Sequence, residues 1–204
     1  MAKRPDAELR IITATFKLAA VEGWRRVTLS RIAGAAKIEP DDLRAHFSSR
    51  RAILDAFAAR INQQVIDNAT GNGETIRDTL FDLIMCRLDA LSPFKHELRA
   101  MFPRSPAALR SCDPSIVLFG LCALRRAIKL TLETAGVSSR GLKGLIKIKA
   151  LELVYLNALR VWLEDDTSTL DTVMVQLDNS LARLESLAET FLVRRRDGKT
   201  VKSI

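Results

Sequence analysis

The chain has 204 residues, 48% hydrophobic and 27% charged, with only nine Gly and six Pro. This balance suits a helical protein with a substantial core, excludes a disordered chain and argues against a β-rich one. The formal net charge of +8 points to an anionic partner such as nucleic acid or a lipid surface.

The charge is concentrated at the ends. Residues 1–51 hold eleven Lys and Arg against six Asp and Glu, residues 194–204 hold five against one, and the 142 residues between are close to neutral. Cys86, Cys112 and Cys122 form no CxxC pair and no zinc spacing with His46 or His96, so neither a disulfide framework nor a metal site is expected. The longest apolar run, 115–124, stops at Arg125 and Arg126, short of the roughly 18 residues that span a membrane. No charged-then-apolar leader opens the chain, and a cytoplasmic protein is expected.

In chain order, Leu9, Ile12, Ala14, Phe16, Ala19 and Ala20 mark one face of a helix over 6–22, and Gly23 suits its left-handed stop. Thr28 is a good N-cap for a short helix through Leu29, Ile32, Ala33 and Ala36. Lys37-Ile38-Glu39 makes a brief turn before Pro40. Proline at the first helical position, with Asp41 and Asp42 behind it, signals the start of a third short helix reaching about Phe47. Two short helices around a three-residue turn, braced by a longer one, form a helix-turn-helix pattern. Ser49 is placed to N-cap a long connector helix carrying Ile53, Leu54, Phe57, Ile61 and Val65, ending at the Gly71-Asn72-Gly73 break.

Further helices are predicted over 74–91, 93–102, 114–135, 143–165 and 168–194. The helix over 114–135 is apolar on more than one face, as a central buried helix is. In the last, Leu170, Val173, Leu177, Leu181, Leu184, Ala188 and Phe191 recur at three- and four-residue steps, close to a heptad seam. Ser168 and Asp171 offer a capping box at its start. The expected fold class is all-α: a three-helix helix-turn-helix head over 1–51, a helical body over 52–193 for ligand binding and dimerisation, and a basic tail over 194–204.

Gly23-Trp24, Thr28, Ile32-Ala33, Ala35-Ala36, Ile38, Leu43, His46-Phe47, Ser49-Arg50 and Ile53-Leu54 together resemble the TetR family head. The resemblance covers about the first quarter of the chain. It implies a dimeric repressor that binds operator DNA through the head and releases it when a small molecule enters the body, with residues 39–47 as recognition helix. The chain departs from the family pattern in two places. Lys37-Ile38-Glu39 replaces Gly-Val-Ser at the turn, and Leu43-Arg44-Ala45-His46-Phe47 lacks the phosphate-contacting tyrosine. Glu39, Asp41 and Asp42 also put three carboxylates at the groove-facing end, where an acid is repelled by phosphates but can accept a hydrogen bond from cytosine N4. Asp41 and Asp42 equally serve as plain stabilisers of the helix N-terminus.

Residues 154–156, 161–166, 169–172 and 177–181 are loosely similar to the lipid-binding proteins of ubiquinone biosynthesis, which share the TetR fold. That likeness implies an alternative: a lipid- or isoprenoid-binding body whose head no longer reads an operator.

Under the first resemblance the DNA-facing residues are Thr28, Lys37, Asp41, Asp42, Arg44, Ala45, Arg50 and Arg51, with Arg50 the strongest candidate for a phosphate. A chamber for a small apolar or lipid-like effector would draw on Met85, Leu88, Met101, Phe102, Phe119, Cys122, Tyr155 and Trp162, each of which also fits plain core packing. A homodimer would form across Leu170, Val173, Leu177, Leu181, Leu184 and Phe191; the alternative is a monomer that folds this helix onto its own core. The tail from Arg194 is either a solubilising end or a contact with DNA or anionic lipid. Two isolated histidines, no paired apolar carboxylates and no nucleophile or phosphate-loop motif leave no catalytic residue to nominate, and neither enzyme activity nor a cofactor is expected.

Overall fold

The computed structural model describes residues 7–69, 73–101, 112–167 and 169–200, with side chains through residue 188. All regular structure among them is helical: α1 Ala7–Glu22, α2 Leu29–Ala36, α3 Pro40–His46, α4 Arg50–Asn68, α5 Ile76–Leu91, α6 Lys95–Met101, α7 Pro114–Thr134, α8 Gly141–Glu164 and α9 Asp171–Thr200. Single 3-10 turns over Trp24–Arg26 and Ser92–Phe94 complete it. No helix among the described residues is long and apolar enough to cross a membrane.

Each head helix stops and starts for a local reason. Gly23, at φ +80°, donates its N–H to Ala19 O at 3.0 Å and ends α1. The Thr28 hydroxyl accepts the Arg31 N–H at 3.3 Å and starts α2. At the other end of α2, Lys37 adopts the left-handed conformation at φ +53°, and the Ile38 N–H returns to Ala33 O at 3.0 Å. That geometry favours glycine, and a lysine there costs roughly 1 kcal/mol. Arg10 on α1 offsets the strain by donating to Ala36 O at 2.6 Å and Lys37 O at 3.0 Å. Ser49 starts α4, its hydroxyl accepting the Ala52 N–H at 3.1 Å.

The chain divides into two compact units, residues 1–68 with 87–127 and residues 69–86 with 128–204. The first unit takes in the residues expected to form the head, the rest of α4 and later chain. In the first unit, Ile11, Ile12 and Phe16 of α1, Ile32 of α2, Leu43 of α3 and Ile53, Leu54 and Phe57 of α4 are buried. Phe16, Phe57 and Phe94 form an aromatic cluster with centroids 4.4, 5.4 and 5.0 Å apart, in the offset geometries aromatic pairs prefer.

In the second unit α8 packs on α9, and the buried side chains are Ile148, Leu151, Tyr155 and Trp162 on the one and Val173, Leu177 and Leu181 on the other. This corrects the dimer seam. Val173 and Leu177 have no exposed surface and Leu181 almost none, so these apolar positions of α9 are used up inside the protomer. Leu170 and Leu184 are half-buried, and the side chain of Phe191 lies outside the described residues. Among the described side chains of α9, the large apolar ones left exposed are Met174, Val175 and Leu187. Ser168 is outside the described residues as well; ahead of α9, Leu170 takes φ +55°.

Candidate nucleic-acid interface

Thr28 is not alone at the start of α2. A surface cleft of about 500 Å³ is lined by Arg25, Val27, Thr28, Leu29, Ser48, Ser49 and Arg50. It gathers the first residues of two helices, α2 and α4, with their hydroxyl caps. The first-turn amides of a helix have no intrahelical acceptor and carry partial positive charge. Two such ends beside an arginine, with hydroxyls able to donate, make a cradle for an anionic oxygen of phosphate type.

Arg50 is the correction that matters most. Its Nη1 donates to Trp24 O at 2.9 Å and to Val27 O at 2.7 Å, and its guanidinium lies 5.1 Å from the centre of the Trp24 ring. It therefore ties the 3-10 turn to the start of α4 and shapes the cleft wall, instead of reaching out to phosphate as expected. Arg51 is likewise engaged: it pairs with Asp55 at 3.0 Å and lies 5.0 Å from the Phe119 ring centre.

The cation that does face solvent at the cleft is Arg25, whose side chain is 70% exposed. Composition and motif did not single it out; the signal available was its place three residues before the α2 cap. Ser48 and Ser49 were also missed as lining residues, although Ser49 was legible as a cap.

Lys37, Asp41, Asp42, Arg44 and Ala45 do not line this cleft. All five are exposed, while Leu43 between them is buried. Arg44 Nη1 pairs with Asp41 Oδ1 at 2.9 Å, so α3 presents Asp42 and Glu39 without a matching local cation from Arg44. Asp113, just ahead of α7, completes the surroundings. Its carboxyl is held below the usual carboxylate range, first by hydrogen bonds from the Ser115 hydroxyl and N–H and then by the nearby charges of Arg25 and Arg50.

The nominated effector residues are spread over both units. Leu88, Met101, Phe119 and Cys122 lie in the first and Met85, Tyr155 and Trp162 in the second; Phe102 lies outside the described residues. Leu88, Phe119, Tyr155 and Trp162 are buried, and Met85, Met101 and Cys122 are half-buried. The tail cations Arg194, Arg195, Arg196, Lys199 and Lys202 fall where side chains are outside the described residues.

A braced pair of short helices, with an anion cradle at the start of one and an exposed face on the other, defines a helix-turn-helix protein. Residues 11–57 match the family model "Bacterial regulatory proteins, tetR family". The fold of the chain is that of solved TetR regulators. The TetR transcriptional regulator of Nitrosomonas europaea is 20% identical at a TM-score of 0.63, covering 86% of this chain and 96% of that one. One from Rhodococcus sp. RHA1 is 16% identical at 0.57, covering 87% and 94%. The SmeT-triclosan complex is 16% identical at 0.54, covering 87% and 90%. No curated protein matches.

Proposed function

We propose that the protein is a transcriptional repressor that grips operator DNA as a homodimer through its two heads and releases it on binding a small apolar or lipid-like effector. The observation that carries this is the cleft formed by Arg25, Thr28, Ser49 and the first turns of α2 and α4: it suits a DNA phosphate, and phosphate contacts supply most non-specific affinity. The family head at residues 11–57 supports operator binding over the lipid-carrier alternative. The effector is supported by triclosan in SmeT.

For the dimer we reassign the contact to the outer face of α8 and α9. Leu153 is 70% and Val175 61% exposed, beside a shallow groove lined by Asn157, Thr172, Val175, Gln176, Asn179 and Arg183. A second copy covering these apolar side chains removes them from water, and a two-fold axis lets one patch serve both partners. Sedimentation of Leu153→Glu should then give a folded monomer where the parent is a dimer.

Footprinting on DNA upstream of the protein's own coding region tests the whole proposal. Protection that fades steeply as salt rises is the expected result, with Arg25→Glu as the control in place of the structurally committed Arg50. Absence of protection at low salt refutes operator binding.

A further inference from the structure

We propose that Asp113 is an autoinhibitory competitor for Arg25, holding on the protein a guanidinium that the head otherwise offers to a DNA phosphate. This rests on the DNA-binding function proposed above and concerns how that site is regulated.

The two partners are unequally fixed. Asp113 Oδ1 accepts the Ser115 N–H at 2.9 Å and the Ser115 hydroxyl at 2.7 Å, which pins the carboxylate at the start of α7 as a cap. Its other oxygen, Oδ2, lies 3.8 Å from Arg25 Nε. Asp113 is only 18% exposed against 70% for Arg25. The acid is thus built into the protein, while the arginine reaches it through solvent from the cleft that it lines. A mostly solvated pair at this separation is weak, so a phosphate that also meets two helix N-termini can displace the carboxylate.

Neighbouring contacts repeat the pattern. The Phe119 ring on α7 takes the guanidinium of Arg51 at 5.0 Å. Arg126, also on α7, lies 3.4 Å from Asp55, which itself pairs with Arg51. The start of α7 and the stretch just before it therefore engage two of the cations around α4. Of the two arginines lining the cleft, Arg50 is bound to backbone carbonyls. Arg25 is the one whose availability can change without dismantling the head. Any shift that draws Asp113 away strengthens the phosphate contact of Arg25, and any shift that presses it closer weakens it.

The test uses the full chain, a fluorescein-labelled duplex of mixed sequence and anisotropy titrations across a KCl series. Asp113→Asn keeps an oxygen for the Ser115 cap and removes the charge; Asp113→Ser, also a good cap, is the second variant if the first folds poorly, as judged by thermal melting. Each is expected to bind about three- to tenfold tighter with the parent's log–log salt slope, since Arg25 meets the phosphate in both and only the cost of displacing the carboxylate is removed. In an Arg25→Ala background the same change should leave affinity and slope as they were. Unaltered affinity on removing the Asp113 charge overturns the competitor. So does an equal gain in the Arg25→Ala background, which would be a through-space charge effect. If the parent binds with a steep salt slope and only these shifts fail, DNA binding stands and the competitor falls; if no variant binds at low salt, both fall.

Discussion

The two short helices of the head are nearly equal in length and opposite in how their N-termini are finished. At α2 a threonine hydroxyl caps the first turn, Arg25 stands nearby, and the positive end opens into a cleft. At α3 the first turn is Pro40, Asp41 and Asp42, with Glu39 as N-cap and no side-chain cap hydrogen bond. The carboxylates meet the positive end of the helix dipole themselves. An end neutralised in this way has nothing to offer a phosphate. Under the proposed function the division is physical: backbone grip falls to the starts of α2 and α4, and α3 is left with base edges, where an acid finds a donor in cytosine N4.

The largest expected effect comes from removing the wall that holds α2 and α4 in this arrangement. Arg50→Ala deletes two charge-assisted hydrogen bonds and a stack on Trp24, a loss of about 2–4 kcal/mol. Thermal melting should show a less stable protein and anisotropy a loss of DNA binding that low salt does not restore. Arg50→Lys should rescue little, since an ammonium cannot reproduce the planar fork. A stable variant whose only defect is a shallower salt slope would mean that Arg50 is a phosphate contact after all.

Next in size is Arg25→Ala, which leaves the hydrogen bonds of Arg50 and the Thr28 and Ser49 caps in place. We expect normal melting, about tenfold weaker binding to mixed-sequence duplex and a salt slope reduced by about 0.9 per head. Equal binding by the variant and the parent would remove the cleft from the interface and with it the contrast between α2 and α3.

The head's sequence was legible because its signals are local. Thr28, Ser49, Gly23 and Pro40 act within one turn of themselves, and α1 ends, and α2, α3 and α4 begin, within one residue of the places they mark. The role of Arg50 was not legible, because its partners Trp24 O and Val27 O lie 26 and 23 residues away. Resemblance to the TetR head suggested phosphate; only the folded turn shows two carbonyls waiting. The seam of α9 failed for a different reason. Periodicity identifies which side chains share a face, and Val173, Leu177 and Leu181 do share one, but it cannot say whether that face meets the chain's own α8 or another copy.

A smaller effect tests the acidic side of the contrast. Asp41→Asn with Asp42→Asn removes two exposed charges from the start of α3 and should tighten binding to mixed-sequence duplex by about threefold to fivefold through lost repulsion. Selectivity for an operator over that duplex should fall at the same time, as each lost base contact is worth about 1–3 kcal/mol. If tighter binding comes with unchanged selectivity, the acids are helix stabilisers only.

The smallest effect lies at the turn between the two helices and separates backbone from charge. Lys37 sits at φ +53°, where glycine is free of the Cβ penalty, so Lys37→Gly should stabilise the protein by about 0.5–1 kcal/mol. The bonds from Arg10 survive the change because their acceptors are the backbone carbonyls of residues 36 and 37. The exposed ammonium is lost, and if it stands beside a phosphate, affinity for duplex should drop about threefold with a slope shallower by about 0.9 per head. Gained stability with unaltered affinity assigns the lysine to solvent and leaves the phosphate grip wholly with the cleft. Unaltered stability would show instead that the greater freedom glycine gives the unfolded chain cancels the relief of strain at this turn.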